Sequence, residues 1–144
     1  MAEVREGDDL ASAVYDAAQS QGTPLEANDV LVVTQKIVSK VEGSIVDLAE
    51  IKASPLAEEF ARQYEKDPRQ VEVVLQETRR IVRMDRGILI VETKHGFVCA
   101  NAGVDASNVP GENRVSLLPQ DPDGAPASAM RSTPPRSSLA QTLP

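Results

Sequence analysis

Leu10, Val14 and Ala17 recur at helical spacing behind Asp8-Asp9, and acids at a helix start suit its positive end. Gly22 and Pro24 then stop the pattern, which predicts an amphipathic helix over residues 9–20 with Tyr15 as a packing residue. Val30-Leu31-Val32-Val33 has a different rhythm. Four consecutive apolar, largely β-branched residues behind Asn28-Asp29 predict a strand buried on both faces. Ser44-Ile45-Val46-Asp47-Leu48 predicts a weaker strand. Ser54-Pro55 has the form of an N-cap followed by a first helical residue, predicting a helix to about Lys66. Asp67-Pro68-Arg69-Gln70 repeats the device, with Val71, Val74, Leu75 and Thr78 as the buried stripe and Arg79-Arg80 closing the helix.

Helical spacing then gives way to short apolar runs. Ile81-Val82-Arg83-Met84, Ile88-Leu89-Ile90-Val91-Glu92-Thr93 and Phe97-Val98-Cys99-Ala100 predict three strands, separated by turns at Asp85-Arg86-Gly87 and His95-Gly96. The expected class is α+β, an antiparallel β-meander with helices packed on it. Seven of the ten prolines lie beyond Val109. Residues 1–130 are accordingly read as the folded portion, with 110–126 an ordered or partly ordered arm. Residues 131–144, rich in Pro and Ser, are expected to be disordered.

Composition narrows the picture. The 144 residues suffice for one domain, and with four aromatic residues the core must be built mainly of Val, Ile, Leu and Ala. A formal net charge of −7 argues against a nucleic-acid binder, which grips phosphate with clustered Lys and Arg. A single Cys cannot form an intramolecular disulfide, the first residues carry no apolar signal core, and no apolar run approaches a membrane span. A soluble cytoplasmic protein with no membrane partner is expected.

Candidate chemistry gathers in two places. Lys36 and Lys40 follow the first predicted strand four residues apart, so a helical turn would set both ammonium groups on one face. Such a face is either simply solvated or holds an anion between the two cations. No glycine-rich phosphate loop is present. The second place is the loop from Asn101 to Asn108, which follows the third meander strand and offers Asn101, Asp105, Ser107 and Asn108. Those residue types equally make ordinary turns. Cys99 is expected in the core and His95 at a turn.

Three segments, in order, resemble one family: Val32-Val33-Thr34-Gln35-Lys36-Ile37-Val38-Ser39-Lys40-Val41-Glu42-Gly43, then Asp67-Pro68-Arg69, then the run from Val91 to Asn108 containing Lys94-His95-Gly96-Phe97-Val98-Cys99-Ala100-Asn101-Ala102-Gly103-Val104-Asp105. The chain is similar from about Val4 to Met130 to the coenzyme F420-0:L-glutamate ligases, the gamma-glutamyl ligases of deazaflavin coenzyme biosynthesis. The resemblance implies a GTP-driven ligase that joins L-glutamate to the phospholactyl carboxylate of coenzyme F420-0, with manganese or magnesium, potassium as a further ion, and a homodimeric state. It implies Asp105 as a divalent-metal ligand, Asn108 as a nucleotide contact beside it, and Gln35, Lys36 and Lys40 as nucleotide-binding residues, Lys40 toward phosphate. It assigns no catalytic role to His95 or Cys99. Family members also carry a short segment before Val4 and run on well past this chain. The C-terminal half of the family fold, with a second metal aspartate, is therefore expected to be missing, as from a truncated or frame-shifted reading frame. A chain so built is expected to be impaired in catalysis. A non-catalytic nucleotide- and metal-binding module, or an unstable fragment, is the alternative reading.

Overall fold

The computed structural model describes residues 3–107, 111 and 113–121. Helix α1 (Leu10–Ser20) starts at Asp9, whose carboxylate accepts hydrogen bonds from the backbone N–H groups of Ala11 and Ser12. Tyr15 on this helix is exposed rather than packed, because α1 buries only Leu10. Helix α2 (Gln35–Val41) leads into β1 (Ile45–Asp47). Helices α3 (Pro55–Tyr64) and α4 (Pro68–Gln76) follow the expected signals: Ser54 and Asp67 cap them, with proline in each first turn. The three-stranded sheet is β2 (Thr78–Asp85), β3 (Ile88–Thr93) and β4 (Val98–Ala100), in that order and antiparallel throughout. Strand β5 (Arg114–Ser116) pairs antiparallel with β1 as a separate two-stranded sheet. The fold is thus α+β, with the meander the sequence implies.

The core joins both sheets to the two central helices. Ala57, Phe60 and Ala61 of α3 and Val71, Val73 and Val74 of α4 pack with Leu89 and Val91 of β3 and Val115 of β5. Leu89, Val91 and Thr93 face inward while Ile88, Ile90 and Glu92 face out, the alternation a half-covered sheet requires. The β2–β3 hairpin turns at Arg86-Gly87, both with positive φ (46° and 78°), as a tight two-residue turn between twisted strands demands. A Cβ at Gly87 would also stand 3.1 Å from Tyr64 Cβ and from Lys66 Cε. Gly87→Ala is expected to cost about 1–2 kcal/mol, the penalty for a left-handed L-residue. A lowered urea midpoint with an unchanged slope checks it.

Several boundaries differ from expectation, each for a physical reason. Residues 30–33 form no strand: Val30 is 86% exposed and Val32 83%, and the segment finds no backbone partner among the described residues. Apolar, β-branched sequence is necessary for a buried strand, but a neighbour must supply the ladder. Arg79 and Arg80 belong to β2 rather than to the end of α4, and both guanidinium groups pair with Glu92 of β3. Cys99 is half-buried, not core, and Phe97 and Val98 beside it are exposed, since β4 is an edge strand. The expected tail, residues 131–144, lies outside the described residues, and the expected arm is described only in part; β5 falls within that part.

Candidate functional site

Asp105 is placed by a backbone device that begins at Asn101. Asn101, Ala102 and Gly103 all have positive φ (50°, 53° and 72°), a run that reverses the chain leaving β4. Asn tolerates this region and Gly favours it; Ala102 does not, and the almost complete burial of its methyl group holds it there. The Asn101 Oδ1 accepts the backbone N–H of Leu89 at 3.2 Å, so this side chain secures the turn. The chain then meets β5: Asp105 N–H donates to the Ser116 carbonyl at 3.1 Å, and Ser116 N–H returns to the Asp105 carbonyl at 2.8 Å.

The same strand anchors the first turn of α2. The carbonyl of Leu117, just past β5, accepts Ser39 Oγ at 2.7 Å and Gln35 Nε2 at 3.2 Å. Ser39 is fully buried, so its hydroxyl needs these partners. With α2 held in this way, Lys36 Nζ lies 2.5 Å from Asp105 Oδ2 and donates to Ser107 Oγ at 2.6 Å, across 71 positions of sequence. Ser107 closes the arrangement, its backbone N–H reaching Asp105 Oδ1 at 2.8 Å and its hydroxyl reaching Oδ2 at 3.0 Å.

Lys36 above all, then the two Ser107 donors, hold the Asp105 carboxyl down at about 2, against an ordinary value of 3.8. A depressed carboxylate stabilises the fold above its unfolded value and loses that contribution as pH falls through the folded one. The window is therefore about pH 4 down to about pH 2. Both side chains are more than a third exposed, so solvent limits the pair to about 1 kcal/mol or less. In Lys36→Met, the Asp105 carboxyl resonance followed by NMR is expected to titrate closer to 3.8. An unmoved midpoint would show that Ser107 alone holds it down.

Three of the five residues singled out from sequence thus converge. Gln35 and Lys36 on α2 and Asp105 on its loop share one corner of the fold. Lys40, one turn beyond Lys36, is half-buried and makes no side-chain hydrogen bond or ion pair with a described residue. Asn108 lies outside the described residues. No group of three or more His, Cys, Asp or Glu side chains converges among the described residues. Sequence reasoning named Ser107 only among the polar residues of its loop, and it passed over Ser39 and Ser116. Ser107 carried a usable signal, since Asp two residues before Ser is the spacing of a local Asx turn; Ser39 and Ser116 acquire their roles only through β5.

Comparison with known proteins gives the corner a context. The family model for F420-0:gamma-glutamyl ligase matches residues 1–133. The coenzyme F420:L-glutamate ligase of Methanothermobacter thermautotrophicus is 44% identical over 125 residues, covering 87% of this chain and 49% of the relative. That of Methanopyrus kandleri is 48% identical over 120 residues (83% and 45%), and that of Archaeoglobus fulgidus 42% over 122 residues (85% and 46%). The chain spans about half the length of the curated relatives it matches. Among the described residues no helix is long and apolar enough to cross a membrane. A match over residues 1–133, with such identities beside it, means that the chain belongs to the F420-0:gamma-glutamyl ligase family.

Proposed function

We propose that the chain serves a ligase that uses GTP to join L-glutamate, through an amide bond, to the phospholactyl carboxylate of coenzyme F420-0. The observation that carries this reading is the convergence of Lys36, Asp105 and Ser107 in a chain of this family. A carboxylate becomes an acyl donor once a γ-phosphoryl group has been moved onto one of its oxygens; the glutamate amine then attacks the carbonyl and phosphate leaves. Such a transfer needs positive charge near the phosphoryl oxygens, which Lys36 and Lys40, both on α2, would supply. Gln35 offers its amide to the nucleotide beside them. A divalent manganese or magnesium ion, when bound, neutralises phosphate charge and orients the oxygens. The Asp105 carboxylate fits a hard cation of this kind: it stays ionised throughout the neutral range and already faces a cation. Ser107 would hold that carboxylate in orientation, as it does here with two hydrogen bonds.

A binding module without turnover is the second reading, favoured because no cluster of three or more His, Cys, Asp or Glu side chains forms among the described residues. One assay separates them. Purified chain is incubated with GTP, manganese, glutamate and the unglutamylated coenzyme, and followed for GDP and for a mass gain of one glutamate. Product supports the ligase; GTP binding with no product supports the module; neither sinks both.

A further inference from the structure

The proposed function gives Lys36 and Asp105 different partners, a phosphate oxygen for one and a divalent cation for the other, yet here they hold each other. Asp105 Oδ1 accepts the Ser107 N–H at 2.8 Å. Oδ2 accepts the Ser107 hydroxyl at 3.0 Å and stands 2.5 Å from Lys36 Nζ. A carboxylate oxygen has about two lone-pair sites, so Oδ2 is full. A divalent cation on Oδ2 would need the place of the ammonium. One on the free side of Oδ1 would still meet that positive charge across the carboxylate, where like charges repel.

The ammonium is free to move. Among the described residues it bonds only to Asp105 and Ser107. Its side chain is 38% exposed, and an ion pair so open to water is held weakly. Lys40 lies one turn along the same helix, so an ammonium turned away from Asp105 joins a second cation on that face.

We propose that Lys36 is a built-in competitor of the divalent cation at Asp105: it gives up Oδ2 when such a cation binds, and turns with Lys40 to the anion. Cation and anion then favour each other's binding through this one side chain, and by linkage the effect is mutual. The proposal rests on the reading of Asp105 as the cation's ligand and adds the coupling between the two ligands. It gives Lys36 two successive partners, where a plain surface ion pair would have one.

The test uses manganese alone, with no nucleotide or coenzyme. Paramagnetic broadening of the Ala106 and Ser107 amide resonances is titrated in the parent chain and in Lys36→Met, Lys36→Arg and Asp105→Ala. Lys36→Met is expected to bind manganese at least about threefold more tightly than the parent, since a unit charge beside the ligand oxygen is gone. Lys36→Arg keeps the charge and is expected to bind no more tightly than the parent. A second readout needs no variant of Lys36. Acetylation of its amine, followed by mass spectrometry, is expected to quicken as manganese is added, and to be insensitive to manganese in Asp105→Ala. Broadening that is lost in Asp105→Ala, with Lys36→Met binding no more tightly than the parent, would overturn the competition and leave Asp105 as the ligand. Acetylation of Lys36 that manganese leaves unchanged would overturn it too. Broadening that is absent throughout, or indifferent to Asp105→Ala, would remove the cation reading and the proposal with it.

Discussion

Asp105→Ala is expected to abolish manganese-dependent GTP binding while leaving the protein folded. The carboxylate is the group that would hold the cation, and even residues that merely support a metal ligand cost about 10–100-fold when removed. Loss of the ligand itself is expected to weaken binding at least about 100-fold, read by isothermal titration with manganese present. The fold should survive because what ties Asp105 to β5 is backbone: the paired N–H and carbonyl bonds with Ser116 do not involve its side chain. The lost ion pair is solvent-exposed and contributes about 1 kcal/mol or less. A circular dichroism melt near that of the parent, with binding gone, is the expected combination. Unchanged GTP binding would remove Asp105 from the site.

Phe60→Ala is expected to have the largest effect on stability, lowering it by about 3–5 kcal/mol. Phe60 is 4% exposed, sits within the core formed by α3, α4 and β3, and lies 4.8 Å ring-to-ring from Tyr64. Small domains are stable by only about 5–15 kcal/mol, so the substitution removes a large fraction of the whole. Urea unfolding followed by circular dichroism checks it, and a loss below about 1 kcal/mol would mean that the core collapses around the gap.

The local grammar of the chain was legible wherever a feature is satisfied by its near neighbours. Ser54-Pro55 and Asp67-Pro68 cap their helices as read, because a cap needs only the next few N–H groups. Arg86-Gly87 makes its turn for an equally local reason. What failed depends on partners distant in sequence. Residues 30–33 look like a strand but lack a ladder, and Arg79-Arg80 look like a helix end but are drawn into β2 by Glu92, 13 and 12 positions away. The site divides along the same line. The resemblance brought Gln35, Lys36 and Asp105 forward as site residues. That Lys36 meets Asp105 is a tertiary fact, created by β5, a strand the sequence did not announce.

That strand carries a further consequence. Three residues, Arg114, Val115 and Ser116, with the carbonyl of Leu117, hold both walls of the corner: Asp105 on one side, Gln35 and Ser39 on the other. Proteins open in cooperative pieces, and a short ladder of this kind parts at a smaller free energy than a packed pair of helices. Raising denaturant should therefore separate Lys36 from Asp105 while α3 and α4 still report a native helical signal. On the proposed function, affinity for GTP would fade first, and the protein would forget that ligand before it unfolds.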